Sequence, residues 1–325
     1  MNFQDFLRMD ASELPDYPIV QRFSSFNADS GLFFARALEY VKAQTYDKKY
    51  PANSLLAMLP INTEGGAGIK TITYQSYDST GVAKIIDSMA NDLPLVGITG
   101  EEVTAKVKIQ GLAYDFNYAE VEAARLQGLP LQARKAQAVK LGIDQQANQI
   151  AAKGETEHGL VGLFTHPNIT AYTLPTDGTG TSATFASKTA DQIIRDISGM
   201  INKVPDLTNG VEVVDTVLMP IAQYGYISTT PRSTTSDTTI LQFLQANNPG
   251  VTFKAEPLCK GAGTSGADLI FAFKNDNMHI ELAIPHPFEQ KAPQERNLST
   301  IVNCVQHIAG VLNYYPLACI KASGC

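Results

Sequence analysis

The sequence predicts an α+β fold whose longest elements are too extended to be covered within one copy of the chain. Three observations predict it: one long amphipathic helix, two strand-like stretches around a polar excursion, and a mixed strand–helix region nearer the C-terminus. With 325 residues the chain is long enough for a large core and for about two domains.

The long helix is predicted from Pro130 to Lys153, with Gly154 as its C-terminal stop. At 1.5 Å per residue it is roughly 35 Å long. Gly142 interrupts it, and two explanations stay open: a local bend, or the close approach of a second chain. The apolar positions recur at helical spacing on one side only, at Val139, Ile143, Ala147 and Ile150.

The two strand-like stretches form a long hairpin in this prediction. Ile69–Tyr77 is rich in β-branched and aromatic residues, and Val103–Ile109 alternates apolar with polar residues. The excursion between them runs from Asp78 to Gly100. Because an isolated hairpin is marginally stable in water, we expect this one to lie on a neighbouring subunit.

The remaining chain is predicted to hold shorter elements. Residues 1–50 form an arm with one short helix near 31–42, and a second short helix covers Tyr118–Gln127. A compact α/β module follows, with helices at Thr189–Asn202 and Ser236–Gln245 and strands at Val211–Met219, Val251–Leu258, Ala267–Phe273 and Met278–Ile284. The tail ends in one last strand, Gly310–Ile320, which returns towards the long helix.

The composition disfavours some classes of function. The net charge is −7, from 25 basic and 32 acidic side chains, and no basic run exceeds two residues, so a dedicated nucleic-acid-binding surface is disfavoured. Charged residues make up only 18%, which suits a surface largely covered by neighbours.

The sequence carries few signals of the cellular compartment in which the protein resides. The N-terminus lacks the pattern of a signal peptide, and no apolar run approaches the roughly 20 residues of a membrane span, so we expect no membrane partner. The four cysteines, Cys259, Cys304, Cys319 and Cys325, show no C-x-x-C spacing, and we expect reduced thiols in a cytosolic setting; a disulfide stays open.

Catalytic motifs are absent from the sequence. It holds no phosphate-binding loop, dinucleotide fingerprint or nucleophile elbow, and Gly261–Gly266 is interpreted as a flexible surface loop. We therefore predict no catalytic, cofactor or metal site and no enzyme activity. Two groups are interpreted as structural: His279, Glu281 and His286, and the solvated turn of Glu155, Glu157 and His158.

The order of these elements, and several local stretches, resemble one family. The stretches are Leu38–Tyr46 (LEYVKAQTY), Ala83–Ile86 (AKII) with Asn91–Pro94 (NDLP), Glu157–Ile169 (EHGLVGLFTHPNI) and Gly310–Pro316 (GVLNYYP). They resemble the major capsid proteins of tailed bacteriophages, which have the Hong Kong 97-type phage capsid fold, in a subfamily that is itself encapsulin-like. The resemblance covers the chain from about residue 30 to its end.

The resemblance implies a domain plan. Residues 1–50 become the N-terminal arm and 51–115 the E-loop, an extended β-hairpin. Residues 116–187 become the P domain with its long spine helix, 188–290 the A domain, and 291–325 the return to the P domain with the C-terminal strand.

The resemblance also implies a function. The chain would be a structural protein that self-assembles through hexamers and pentamers into an icosahedral shell around double-stranded DNA, without sequence-specific binding. It would reside in the virion, and in the host cytoplasm during assembly, with decoration, portal and scaffolding proteins as possible partners. A 50-residue arm leaves no room for a scaffolding extension, so a separate scaffold or none is expected.

Some members of that family cross-link a hairpin lysine to a neighbour, but the acceptor and the catalytic carboxylate cannot be matched here. We therefore expect shells without covalent links, although Lys70 and Lys84 lie in the same region as Lys106 and Lys108. The residues that we expect at the assembly interface are Tyr74, Tyr77, Lys106, Lys108, Arg134, Lys135 and Gly142. The alternatives are an encapsulin-type nanocompartment shell and, more remotely, an enzyme built on the α/β module.

Overall fold

The computed structural model describes residues 51–85, 95–127 and 131–325, apart from Thr234 and Ser236. The predicted N-terminal arm and its helix lie outside these residues. The described helices are α1 (Ser54–Met58), α2 (Tyr118–Gln127), α3 (Leu131–Lys153), α4 (Ala190–Leu207), α5 (Ile221–Thr229) and α6 (Ile240–Asn247).

The strands fall into four sheets. In chain order they are β1 (Ile61–Asn62), β2 (Thr71–Thr80), β3 (Gly97–Lys106), β4 (Lys108–Asn117), β5 (Thr170–Thr173), β6 (Thr216–Met219), β7 (Thr252–Ala255), β8 (Leu269–Phe273), β9 (Ile280–Ala283), β10 (His286–Gln290), β11 (Gln294–Arg296), β12 (Ser299–Ile308), β13 (Gly310–Asn313) and β14 (Ile320–Ser323). The described sheet orders are β2-β3, β1-β9-β13, β5-β14-β8-β6-β7, and β10-β12-β11 with β4 on β12.

The predicted long helix is confirmed as α3, and its apolar stripe is buried. Ala147 and Ile150, in the C-terminal half, pack in a core with Leu55 and Leu59 from the α1 region. The N-terminal half carries Val139 and Ile143, which pack against Val302 and Cys304 of β12. The single stripe therefore joins two separate cores.

The end of α3 is closed by the chain that follows it. The last carbonyls of a helix have no partner within the helix. Here the N–H groups of Leu163 and Phe164 donate to the carbonyl oxygens of Ala151 and Ala152, at 2.8 and 2.9 Å. The Thr165 hydroxyl donates to the Lys153 oxygen at 2.9 Å. The turn after α3 is thus part of its stability.

The predicted hairpin is confirmed as β2 and β3, which pair antiparallel from Thr71↔Lys106 to Thr80↔Gly97. The predicted single strand through Ile109 is wrong, because the chain changes sheets at Val107. That residue is buried against Ala283, Ala309 and Leu312, and its N–H donates to the Lys70 oxygen at 2.8 Å.

The chain after Val107 leaves the hairpin. β4 pairs with β12 over ten residues, from Lys108↔Ile308 to Asn117↔Ser299. Ile109, expected on the apolar face of one continuous strand, is 67% exposed. The extended hairpin is therefore limited to 71–106, and residues 108–115 of the predicted 51–115 segment belong to another sheet.

The α/β module has a mixed five-stranded sheet. β14 is parallel to β5, β6 is parallel to β7, and β8 runs antiparallel to both β14 and β6. The predicted helix at 189–202 is confirmed as α4, which extends to Leu207. Its Ile193, Ile197 and Ile201 lie in the module's core.

Four details of the module differ from the sequence prediction. The strand expected at Met278–Ile284 as part of the module is β9, which pairs with β1 and β13 in another sheet. The strand expected at Val211–Met219 is shorter, because β6 pairs only over Thr216–Met219 and the run before it lies outside the sheet. The helix expected from Ser236 begins at Ile240, because Thr239 provides the capping box with Gln242. α5 was not predicted at all.

The C-terminal tail differs most from the sequence prediction. The single strand expected at Gly310–Ile320 is wrong: a 3-10 turn at Pro316–Ala318 divides it into β13 and β14. β13 pairs with β9, whereas β14 lies inside the five-stranded sheet, where Ile320 and Ala322 are buried. Residues 320–323 therefore join the α/β module rather than the sheet near α3.

Two glycines make the turn after α3 possible. Gly154 has φ +70°, a conformation that L side chains rarely adopt. A Cβ on Gly162 would lie 2.6 Å from the carbonyl carbon of Lys153 and would overlap the Gly154 nitrogen. The backbones of the two glycines therefore need to be in direct contact.

We expect Gly162→Ala to lower the free energy of unfolding by about 3 kcal/mol, because the added methyl group would overlap backbone atoms at the end of α3. Gly250→Ala is the matched control: a Cβ there meets nothing within 4 Å, and the change should stay within about 0.5 kcal/mol. Urea unfolding followed by circular dichroism measures both. Equal effects of the two substitutions would contradict this account of the turn.

All four cysteines are described, and all are free and buried. Burial raises the pKa of the Cys319 and Cys325 thiols to about 12, and it raises the pKa of Cys259 and Cys304 as well. The expectation of reduced thiols agrees with this arrangement.

We expect the native thiols to react with a thiol-specific reagent at pH 8 on the order of 100-fold more slowly than in denatured protein, because thiolate is the reactive form. Each buried thiol has a higher pKa in the folded chain than in the unfolded chain. The stability that depends on these protonated thiols is therefore fully present below the ordinary thiol pKa, and it is lost as pH rises through the folded pKa. A native cysteine that reacts at the denatured rate would disprove the burial of that thiol.

Candidate assembly surface

The outer part of the β2–β3 hairpin is exposed on both faces. Every residue of β2 from Gln75 to Thr80 is exposed, and so is β3 from Gly97 to Thr104. Tyr77 is 68% exposed, Ile85 98% and Leu95 92%. The described part of the chain covers none of this apolar surface, which is typical of an interaction surface.

The root of the hairpin, in contrast, is fixed to the body. The Tyr74 hydroxyl donates to the Asn313 carbonyl oxygen at 3.1 Å. Its ring meets the Tyr314 ring edge-on, with centroids 4.8 Å apart. Ile72 and Ala105 pack in the same small core. Burial, and then the nearby Glu101, raise the pKa of Tyr74, so it stays a neutral donor.

The expected interface residues divide into two groups. Tyr77, Lys106, Lys108 and Arg134 are exposed and available to a partner. Tyr74, Lys135 and Gly142 are half-buried and make contacts inside their own chain. The structure brings Tyr74 and Tyr77 onto one hairpin, with Lys106 and Lys108 at its root.

Lys135 connects α3 with two neighbouring elements. Its ammonium group donates to the Asp115 carbonyl oxygen at 2.7 Å and to Glu120 Oε2 at 2.8 Å. Hydrogen bonding to Lys135 holds the pKa of the Glu120 carboxyl below its usual value. The residue therefore positions α2 and the end of β4.

Gly142 permits a close approach within the chain. A Cβ there would lie 3.1 Å from Leu112 Cδ2 on β4. The sequence left open a local bend or the close approach of a second chain, whereas the neighbour seen here is a strand of the same chain.

His279, Glu281 and His286 do not converge on one point. His279 Nε2 lies 2.9 Å from Glu212 Oε2, and Glu281 accepts hydrogen bonds from Asn62 and Tyr314. His286 Nε2 pairs with Glu289 Oε2 at 2.7 Å. Each group is engaged by a different neighbour, in agreement with the structural interpretation.

The turn after α3 brings three possible ligands together. One ligand atom each from Glu155, Glu157 and His158 lie within 4.8 Å of one another, on a largely exposed 3-10 turn. Sequence reasoning interpreted them as a solvated turn and did not predict this closeness.

The α/β module also contains a buried cluster of ion pairs that the sequence did not predict. The Lys188 ammonium pairs with Asp196 on α4, and both side chains are buried. Arg195 bonds Asp196 Oδ1 at 2.6 Å and Asp177 Oδ2 at 2.7 Å, which ties the preceding loop to the helix. Lys188 and Asp196 are eight residues apart, so no local motif marks the pair.

An exposed hairpin on a folded root is typical of structural proteins that work as assemblies of identical copies. The chain belongs to the major capsid protein family, whose sequence model matches residues 81–324. It is therefore a structural capsid protein, and a component of the virion. No curated protein sequence matches the chain.

Solved capsids share the fold. The capsid of Myoviridae phage XM1 matches with 21% identity and a TM-score of 0.77, covering 90% of this chain and 98% of that one. Mycobacterium phage Bobi matches with 12% identity and a TM-score of 0.59, covering 88% and 94%. The capsid of the native GTA particle matches with 7% identity and a TM-score of 0.61, covering 92% and 99%.

These matches confirm the predicted Hong Kong 97-type fold and the family resemblance. They do not favour the nanocompartment or the enzyme. Among the described residues, no helix is long and apolar enough to cross a membrane.

We expect Tyr74→Ala to weaken the unassembled subunit by about 1–2 kcal/mol, because it removes both the bond to Asn313 and the ring contact with Tyr314. Tyr77→Ala, on the exposed part of the same strand, should stay within about 0.5 kcal/mol. Hydrogen exchange of the hairpin amides and urea unfolding measure the difference. If Tyr77→Ala proved the more destabilising, the root would not be where the hairpin is held.

Proposed function

We propose that this chain is the major capsid protein of a tailed bacteriophage, and that it self-assembles through hexamers and pentamers into an icosahedral shell around double-stranded DNA. The observation that carries the proposal is the long hairpin of a member of the major capsid protein family. Tyr74 holds its root, and the described residues leave the rest of it uncovered. A shell of identical copies supplies the missing cover.

In the proposed domain plan, β2 and β3 are the E-loop and α3 is the spine of the P domain. The arm remains at 1–50, and the A domain is centred on the five-stranded sheet. We include β14 in the A domain, because it pairs with β5 and β8 there. The earlier part of 291–325 completes the P domain through β12 and β13.

The exposed residues Tyr77, Lys106, Lys108 and Arg134 are proposed to contact neighbouring copies. Tyr74, Lys135 and Gly142 are proposed to act indirectly, since they hold the hairpin, α2 and β4 in place relative to α3. This division follows from exposure and from the contacts within the chain.

The proposed relation to DNA is enclosure rather than binding. A net charge of −7 gives the chain no general attraction for phosphate, and the wall would not hold the genome tightly. Assembly would take place in the host cytoplasm, where portal, decoration and separate scaffolding proteins are possible partners.

Electron microscopy of the full chain, purified after expression alone, is expected to show closed icosahedral shells. The physical reason is that assembly covers the apolar hairpin surface that the described part of one copy leaves exposed. Shells should form without DNA, and particles from infected cells should protect double-stranded DNA from nuclease.

Two outcomes would contradict the proposal. A protein that stays monomeric at high concentration, with its hairpin amides protected from exchange, would exclude a shell. Particles filled with a cargo protein instead of DNA would indicate a nanocompartment.

A further inference from the structure

A basic groove lies at the root of the hairpin. It has a volume of about 530 Å³ and is lined by residues 67–71, residues 106–109 and His307. Three lysines belong to this lining: Lys70, Lys106 and Lys108. They lie around the point where the chain passes from β3 to β4, so the fold itself brings them together.

The three lysines have no counter-charge within the described part of the chain. None of them forms an ion pair with a described carboxylate, whereas Lys135, Lys188, Lys203, Lys274 and Lys291 each do. An anion that enters the groove is attracted by the positive charge of the lysines around it. In a chain of net charge −7, three neighbouring lysines that pair with no described carboxylate are a specific feature.

His307 adds a polar group to the groove wall. It is 7% exposed, and its Nδ1 is buried without a hydrogen-bond partner among the described residues. Burial, followed by the charges of His286 and Lys291, lowers the pKa of His307, so the ring is neutral. A neutral imidazole carries one N–H donor in addition to the lysine ammonium groups.

The same chain carries a matching anionic feature. Glu101 and Glu102 are the only two adjacent acidic residues in the sequence, and both are exposed on β3. Glu102 Oε1 accepts a hydrogen bond from Gln75 Nε2 at 2.7 Å across the hairpin, which orients the carboxylate. Asp78 on β2 is exposed nearby, so the middle of the hairpin is acidic.

The acidic pair does not reach the groove of its own chain. Glu102 and Lys106 are four residues apart on one extended strand, which is about 13 Å. The two features are therefore separate, complementary patches on one molecule. Such patches produce a head-to-tail contact between copies, and a head-to-tail contact closes into rings when its rotation permits.

We propose that the groove of Lys70, Lys106 and Lys108 receives one carboxylate of the Glu101–Glu102 pair of a second copy, and so sets the register of neighbouring hairpins. One carboxylate enters at a time, because adjacent residues of a strand face opposite sides. The proposal rests on the proposed function, because it assumes a shell of identical copies. It identifies the partner of the groove as a carboxylate of the same protein rather than a phosphate of the packaged DNA.

A charge-swap experiment on the full chain tests the proposal. The first variant is Lys106→Glu with Lys108→Glu, the second is Glu101→Lys with Glu102→Lys, and the third combines all four substitutions. Shell formation is followed by electron microscopy and light scattering at physiological salt. Each pair alone is expected to raise the concentration needed for assembly about tenfold or more, since like charges then meet.

The combined variant is expected to restore assembly to within about threefold of the wild type, because every contact again joins opposite charges. Matched controls are Lys254→Glu and Lys260→Glu, exposed lysines of the α/β module that should leave assembly unchanged. Circular dichroism of unassembled subunits checks folding. If the charge-reversed chain does not fold, Lys106→Gln with Lys108→Gln is used, and a smaller loss of assembly is expected.

The outcomes separate this inference from the shell itself. Two results would overturn the groove contact and leave the capsid function standing. In the first, the wild type forms shells and the single-pair variants assemble as well as it does. In the second, the combined variant is as defective as either pair alone. Titration of unassembled subunits with inorganic phosphate provides a second test. Binding that is lost in Lys106→Gln/Lys108→Gln, with unchanged assembly, would assign the groove to a free anion and reject the contact between copies.

Discussion

The structure depends on burying one narrow apolar stripe along α3. That stripe contacts α1 at one end of the helix and β12 at the other, so a single 23-residue helix holds two cores in a fixed relation. The close backbone contact of Gly154 and Gly162, and the carbonyls taken up by Leu163 and Phe164, complete the end of the helix. Little apolar surface is left on its other faces, which are polar and exposed.

The hairpin follows a different principle from the helix. Its root is stabilised by burial, through Tyr74 and Val107, and its outer part is exposed. Val107 is the point of division, because its buried side chain ends β3 and starts β4 in another sheet. The same junction gathers Lys70, Lys106 and Lys108, so the residue that anchors the hairpin also creates the basic groove. The burial of Val107 therefore explains both where the hairpin is anchored and where the three lysines lie.

Much of the candidate site could be predicted, but the role of each residue could not. Tyr74 and Tyr77 look alike in a strand pattern, yet one lies against Tyr314 and the other in solvent. Lys135 looked like a surface charge and instead connects α3 with Asp115 and Glu120. Glu155, Glu157 and His158 were assigned to a solvated turn, and only the 3-10 geometry brings their ligand atoms together. In each case the deciding contact is with a residue that the local pattern does not identify.

The sequence by itself determined the span of α3, its buried stripe, the two hairpin strands and the family resemblance. These features depend on periodicity, on residues that end helices or strands, and on ordered local stretches, all of which act over a few residues. Only the tertiary structure decided that β4 pairs with β12, that β14 enters the five-stranded sheet, and that Gly142 faces Leu112. Ile320 lies beside Thr170 and Ala272, and pairing over such distances is selected by which buried surfaces fit together. No local pattern carries that information, because the same β-forming residues could join any sheet with an open edge.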